Sequence, residues 1–279
     1  MKTPLSYYGG KQTLASTILG LIPPHRLYCE PFVGGAAVFF AKEPSPVEII
    51  NDTNGEVVNF YEVVKRDFPA LQKEVEISLH SRLRHRQAMV INENPEMFDR
   101  VKRAWAVWML ANGSYGCALD GGYGYDRTGG TSKKLDNKRG NFTVDYAIRL
   151  QRTQIECCDA LRIIRSRDTP DSFFYCDPPY VGADQGHYDG YMQDDFDNLL
   201  KVLEAIAGKF LLSSFRNKSL SEFTSKNGWH TLEFRMPLTM THGQKNKRKK
   251  IEVLTANYPI AVSPDVCGKK ELVSGDEED

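Results

Sequence analysis

Near both ends, the chain alternates short apolar runs with amphipathic stretches. Leu27-Tyr28-Cys29 is apolar and short, which predicts a buried strand, and Val47 to Asn51 predicts a second. Between them, Glu30-Pro31-Phe32-Val33-Gly34-Gly35 reads as a loop and Ala36 to Lys42 as a short helix. Val57, Val58, Tyr61 and Val64 recur at helical spacing, so Asn54 to Lys65 is expected to be a helix. Later, Ser172 to Cys176 predicts a strand and Asp194 to Ala207 an amphipathic helix carrying Phe196, Leu199, Leu200, Leu203 and Ile206 on one side. Lys209 to Phe215 and Ile251 to Asn257 predict two more strands. Strands that alternate with helices imply an α/β fold with a mostly parallel sheet covered on both faces.

The middle of the chain breaks this rhythm. Residues 68–108 read as helical and rich in Arg and His, and residues 112–142 are crowded with Gly, Asn, Asp, Tyr and Lys. A stretch that long with few core-forming aliphatics points to a functional insertion. The expected organisation is a catalytic domain from residues 1–61 and 151–279, with a smaller inserted domain at 62–150.

Composition narrows the function classes. No apolar run is long enough to span a bilayer, and the first ten residues lack the pattern of a secretion signal, so the expected location is the cytoplasm. Six cysteines occur without a Cys-x-x-Cys pair, which argues against zinc and for reduced, mostly buried thiols. Lys+Arg and Asp+Glu both number 36, a balance that by itself speaks mildly against a nucleic-acid partner. The distribution reverses that inference. Basic residues cluster at Arg82, Arg84 and Arg86, at Lys133, Lys134, Lys138 and Arg139, and at Lys245 to Lys250, while the last four residues are all acidic.

Three segments carry candidate chemistry. Asp177-Pro178-Pro179-Tyr180 directly follows the apolar strand Phe173 to Cys176. Ligands of open α/β sheets bind beyond the carboxyl ends of strands, so a carboxylate there is well placed. The prolines stiffen the turn and remove two backbone donors. Asp177 and the Pro178 carbonyl then offer two acceptors to one small donor, such as the exocyclic amino group of a base, and Tyr180 offers a flat face for stacking. Such an amine is a poor nucleophile because its lone pair is delocalised into the ring. Two acceptors on its N–H bonds favour a pyramidal nitrogen with a localised lone pair.

The second segment is the loop from Glu30 to Gly35, whose glycines permit close backbone approach by a ligand. Asp52 ends the next strand, where an acidic residue in a nucleotide-binding α/β unit accepts ribose hydroxyls. A full G-x-G-x-x-G is absent, which disfavours a dinucleotide. The third is Tyr7-Tyr8-Gly9-Gly10-Lys11. It fails as a phosphate loop, having Leu5 and Gln12 where that pattern needs Gly and Ser or Thr, and with it falls a reading as a nucleotide hydrolase. Lys11 is instead suited to a carboxylate.

In this order, the segments resemble the Dam-like family of DNA adenine-N6 methyltransferases. Tyr7 to Lys11 is similar to the family's N-terminal cofactor motif, which often has Trp in place of Tyr7. Glu30 to Gly35 resembles the main cofactor loop, Asp52-Thr53-Asn54 the ribose-binding turn, and Asp159 the acidic residue near the cofactor adenine. Asp177 to Tyr180 is similar to the catalytic motif, and Ser213-Ser214-Phe215 and Thr241 to Lys250 fall where later motifs lie. The resemblance implies a Rossmann-like methyltransferase domain with an inserted, mainly helical target-recognition domain carrying a β-hairpin.

It further implies S-adenosyl-L-methionine as cofactor, held by Tyr7, Lys11, Glu30, Phe32, Gly34, Asp52, Asp159 and Asp177, and Asp177, Pro178, Pro179 and Tyr180 as the catalytic set. No metal is implied. The partner is double-stranded DNA, with GATC as the candidate target and the adenine flipped out of the stack for reaction. Asn112-Gly113-Ser114-Tyr115-Gly116 and Tyr125-Asp126-Arg127 resemble the hairpin region, so Asn112, Tyr115 and Arg127 are expected to touch DNA. Lys133, Lys134, Lys138 and Arg139 are expected on phosphates. The alternatives are a catalytically silent DNA-binding module of the same fold, or an amino-methyltransferase acting on RNA, cytosine N4 or a protein amide. The oligomeric state stays open.

Overall fold

The computed structural model describes residues 1–7, 9–181, 191–236 and 250–260. Tyr8, Cys267 and the basic run Lys245 to Lys249 fall outside them. Seven strands form one sheet: β1 Leu27–Glu30, β2 Val47–Asn51, β3 Gln154–Glu156, β4 Ser172–Cys176, β5 Lys209–Ser214, β6 His230–Met236 and β7 Lys250–Ala256. Their order is β3-β2-β1-β4-β5-β7-β6. The direction of strand progression reverses at β1 and β4, which is where open α/β sheets place their ligands. This is a mixed α/β, mostly parallel sheet of the Rossmann-like kind the sequence led us to expect.

The chain divides into two compact units, Met1–Thr13 with Val33–Asp159 and Leu14–Phe32 with Ala160–Asp279.

In the first unit β2 pairs in parallel with β3, Ile49 opposite Gln154 and Asn51 opposite Glu156. Around them lie α2 Ala37–Ala41, α3 Gly55–Arg66, α4 Phe68–Glu76, α5 Arg82–Glu93, α6 Arg100–Gly113, α7 Gly130–Gly140 and α8 Asp145–Leu150. The central helix is α6. Every residue from Ala104 to Gly113 is buried, as expected of a helix covered all round, and α3, α4, α5 and α7 all pack on it. Its start is set by Asp99, whose carboxylate accepts the amides of Val101 at 2.9 Å and Lys102 at 3.0 Å. Asn54 caps α3 in the same way, accepting from Glu56 at 2.9 Å and Val57 at 3.3 Å.

In the second unit β1, β4 and β5 run parallel, β7 is antiparallel to β5, and β6 pairs antiparallel with β7 at the edge. The helices α1 Ala15–Leu21, α9 Ala160–Arg167, α10 Gln193–Ala205 and α11 Lys218–Asn227 complete it. β4 is buried at every position, which explains its unbroken apolar run.

Two expectations change. The Gly-rich stretch contains a helix, α7, that buries only Leu135 and so leaves no amphipathic trace in the sequence. The hairpin reduces to one antiparallel bridge, Ser114 to Tyr123, flanked by bonds from the Tyr115 amide to Gly122 O at 2.7 Å and the Gly124 amide to Gly113 O at 2.9 Å. The thiols are also more open than expected, with Cys157 exposed and Cys117 and Cys158 partly so. No helix among the described residues is long and apolar enough to cross a membrane.

Candidate active site

In the first unit, the residues around the glycine loop form one connected cluster. The Gly34 amide donates to Asp52 Oδ2 at 2.9 Å and the Asn54 amide to Asp52 Oδ1 at 2.9 Å. The Val33 amide reaches Asn51 O at 2.8 Å, and the Tyr61 hydroxyl closes on Gly34 O at 2.7 Å. Gly34 has a φ of +43°, a backbone state that favours glycine. A Cβ there would lie 3.1 Å from the Tyr7 ring, and one at Gly35 would lie 2.7 Å from Tyr7 Cβ, so these glycines admit Tyr7.

Burial pushes the Asp52 carboxyl up, opposed by the backbone amides of Asn54, Gly34 and Thr53. Each carboxylate oxygen has a second lone pair, so the group can still accept hydroxyl donors such as a ribose diol. Asn51 clamps the next segment, donating to Cys158 O at 2.9 Å and accepting the Cys158 amide at 3.0 Å. That bond fixes the backbone beside the exposed Asp159. Lys11 is buried, and its ammonium donates to Gly9 O at 3.1 Å.

In the second unit, four polar side chains gather on one sheet face toward the carboxyl ends of β1, β4 and β5. Tyr175 on β4 pairs with Leu211 on β5, so Ser213 is its diagonal neighbour on the same face. Ser213 lies opposite Leu254 on β7, which places Glu252 diagonal to Ser213. Glu30 ends β1, one position beyond the last pairing with β4, and accepts the Tyr28 hydroxyl at 2.6 Å.

Asp177-Pro178-Pro179-Tyr180 leaves β4 directly above this face. The Tyr180 hydroxyl contacts three oxygens: Asp177 Oδ1 at 3.2 Å, Ser213 Oγ at 3.1 Å, and Glu252 Oε1 in the shortest of the three contacts. Ser213 also donates to Glu252 Oε1 at 2.6 Å. The hydroxyl is thus tied down, while the Tyr180 ring stays partly exposed and meets Phe215 edge-on with centroids 4.4 Å apart. Burial raises the Tyr180 and Tyr175 hydroxyls well above the ordinary phenol range, and the nearby charges of Asp177 and Glu252 add to this. Phe32 meets Tyr191 edge-on at 6.4 Å.

The expected DNA contacts are dispersed in the first unit. Tyr115, Arg127, Lys133 and Lys134 are exposed. Asn112, by contrast, is buried. It is 2% exposed, accepts the Ser6 amide at 3.0 Å, and donates to Pro4 O and Trp108 O. Lys138 turns inward to Thr3 O at 2.6 Å, and burial pulls its ammonium down to about 8. Arg139 spends its guanidinium on Ser78 O at 2.6 Å and Asp136 at 2.9 Å. Asn112 and Gly113, read as part of the hairpin region, end α6, and the inward turn of Lys138 and Arg139 depends on distant backbone.

Several residues carried no sequence signal of their own. Glu252 meets Asp177-Pro178-Pro179-Tyr180 only through strand register. Arg82 sits over the rings of Tyr123 at 4.8 Å and Tyr125 at 5.4 Å, and those rings stack at 14°. Tyr123 and Tyr125 lie in a Gly-rich loop, so their stacking left no periodic trace in the sequence. Among the described residues, no cluster of three His, Cys, Asp or Glu could hold a metal ion.

A carboxylate and a stiffened Pro-Pro turn at the end of a central strand, with a partly exposed aromatic ring beside them, suit recognition of a planar amine. Known proteins agree with that chemistry. Residues 7–236 match the family described as D12 class N6 adenine-specific DNA methyltransferase. The chain is 26% identical over 217 residues to the Retron Ec67 DNA adenine methylase of Escherichia coli, covering 73% of each. It is 25% identical to the type II methyltransferase M1.LlaDCHI of Lactococcus lactis subsp. cremoris, covering 90% of this chain and 93% of that protein. It is 28% identical to the type II methyltransferase M.MjaIII of Methanocaldococcus jannaschii, covering 78% and 85%. With a family match spanning most of its length and a strand-end Asp-Pro-Pro-Tyr in place, the chain belongs to the D12 class of N6 adenine-specific DNA methyltransferases.

Proposed function

We propose that the protein transfers a methyl group from S-adenosylmethionine to N6 of an adenine flipped out of double-stranded DNA, with GATC as its target and the cytoplasm as its place of action. The observation that carries this reading is Asp177 at the end of β4, beside the partly exposed ring of Tyr180.

The residues fit the cofactor by the chemistry of their donor and acceptor sets. From the first unit we assign Tyr7, Lys11, Gly34, Asp52 and Asp159, and from the second Glu30, Phe32 and Asp177. Asp52 suits ribose hydroxyls and Lys11 suits a carboxylate. When bound, S-adenosylmethionine supplies an electrophilic sulfonium methyl. The protein's own part is positioning and electrostatics. Asp177 and the Pro178 carbonyl accept the two N6 protons, localise the nitrogen lone pair and hold it in line for attack. Tyr180 stacks on the flipped base, and Pro179 keeps the turn rigid.

For DNA we retain Tyr115, Arg127, Lys133 and Lys134. The Arg82, Tyr123 and Tyr125 stack supports this assignment, since it presents cation and aromatic faces together. Replacing both Lys133 and Lys134 with Gln is expected to weaken duplex binding at all sequences and to reduce the salt slope by about one unit per lost phosphate contact. Fluorescence-anisotropy titrations across salt concentrations read both effects, and an unchanged slope would remove these lysines from the interface.

The reading itself is tested with labelled S-adenosylmethionine on unmethylated duplex DNA, single-stranded DNA and RNA of matched sequence. Label is expected in the duplex, concentrated at GATC. Label in RNA alone would transfer the activity to another substrate, and bound cofactor without any transfer would leave only a DNA-binding module.

A further inference from the structure

Glu252 lies 75 positions beyond Asp177 in sequence and is 7% exposed, yet its carboxylate meets the catalytic motif through Tyr180 and Ser213. Tyr180 has a single phenolic proton and three oxygens within reach: Asp177, Ser213 and Glu252. Ser213 directs its own proton to Glu252 Oε1 at 2.6 Å, so its oxygen faces Tyr180 as an acceptor. The direction of the Tyr180 proton therefore matters to Asp177. If it points at Asp177 Oδ1, it draws on the carboxylate that must accept an N6 proton and weakens it as an acceptor. If it points at Glu252, it makes no such demand on Asp177.

We propose that Glu252 is a positioning residue that draws the Tyr180 proton away from Asp177, so that Asp177 remains an acceptor for the adenine amino group and the Tyr180 ring is held for stacking. The inference rests on the assignment of Asp177 as the N6 acceptor. The Tyr180 hydroxyl bonds Glu252 Oε1, while its distance to Asp177 Oδ1 is 3.2 Å, the long end of the hydrogen-bond range. Both acceptors are carboxylates, but Glu252 is buried and Asp177 is partly exposed, and a hydrogen bond is less screened in the buried setting. Register enforces the arrangement: Ser213 opposite Leu254 puts Glu252 on the same face as Ser213 and Tyr175. No proton changes owner in this proposal; only the direction of the hydrogen bond is set.

The test is a cycle of Glu252→Met, Tyr180→Phe and the double variant, each checked for folding by thermal melting and for cofactor binding. Met has nearly the volume of Glu but is only a weak acceptor. In Glu252→Met the Tyr180 proton turns to Asp177, and kcat is expected to fall about 10- to 100-fold with the KM for S-adenosylmethionine held. Tyr180→Phe keeps the ring and removes the proton, so the double variant is expected to be several-fold more active than Glu252→Met alone. A purely structural role for Glu252 predicts the opposite, since a second buried change would compound the first.

Undiminished activity in Glu252→Met overturns the proposal, as does a double variant no better than Glu252→Met. Should Glu252→Met not fold, the same cycle is run with Glu252→Gln, whose amide oxygen is a weaker acceptor, and the same rescue by Tyr180→Phe is required. An Asp177→Ala control separates the two levels. If it keeps full activity, the assignment of Asp177 fails; if it is inactive and rescue is absent, only the role of Glu252 fails.

Discussion

Asp177→Ala is expected to lower methyl transfer by about 100- to 1,000-fold or more while the protein stays folded, a magnitude typical of losing one preorganised electrostatic contact to a reacting group. The reason is geometric. In the proposed mechanism Asp177 is the charged member of the acceptor pair, and the Pro178 carbonyl alone can engage only one N6 proton. The amino lone pair then stays delocalised into the ring, and the nucleophile is lost rather than misplaced. Asp177→Asn keeps one acceptor oxygen, so it should retain more activity than Asp177→Ala. Single-turnover transfer with saturating cofactor and DNA isolates the chemical step, and a melting curve confirms folding. The Asp177 side chain is partly exposed at the end of β4, so its truncation leaves no buried cavity in the sheet.

The largest effect on stability is expected at Glu48, in the first unit and away from the chemistry. Its carboxylate lies between Lys42, 2.5 Å away, and Arg149, whose Nη2 donates at 2.8 Å and whose Nη1 also reaches it. All three side chains are at most 8% exposed. Arg149 also lies over the Phe39 ring at 3.8 Å and bonds Phe39 O at 3.0 Å, so this cluster ties β2, α2 and α8 together. Glu48→Ala leaves two cations facing each other in a buried setting, and removing one partner of such a set costs about 3–5 kcal/mol. At roughly 2–4 °C per kcal/mol, the melting midpoint should drop by about 10 °C or more.

Burial alone would raise the Glu48 carboxyl, but the hydrogen bonds and charges of Arg149 and Lys42 outweigh it and hold the group below its ordinary 4.5. A carboxyl depressed on folding contributes stability that is full above its unfolded value and lost as pH falls through the folded one. The difference in melting midpoint between the natural chain and Glu48→Ala should therefore shrink as pH falls from about 4.5 downward. A midpoint unchanged at neutral pH would show that the cluster does not hold these elements.

How much of this was legible in the sequence depends on how local each signal is. Strand β4 and the motif after it could be read because five consecutive buried residues, Ser172 to Cys176, lead straight into Asp177. The acceptor geometry of a Pro-Pro turn is also local. Asp52 was readable for a similar reason, as the residue that directly follows β2. Glu252 could not be found this way, because its place beside Ser213 comes from an antiparallel pairing of β5 with β7 that crosses α11 and β6. Its own neighbours, Ile251 and Val253, suggest only a strand.

Other elements show the same limit from the other side. α7 has only Leu135 facing inward, so neither period nor hydrophobicity marks it. β3 is three residues long with none buried, too short for any pattern. β6 did carry an alternation, Leu232, Phe234 and Met236, but of a kind shared with many loops. Basic residues were the least legible. Lys133 and Lys138 look alike in sequence, yet one is exposed and the other donates to Thr3 O.

The most direct measurement of the central claim is nucleoside analysis of unmethylated genomic DNA after incubation with the protein and S-adenosylmethionine, alongside the Asp177→Ala variant. The account predicts N6-methyladenine as the product, confined to one short sequence, and its near absence with the variant. N4-methylcytosine as the product, or equal N6-methyladenine from a folded Asp177→Ala protein, would contradict it.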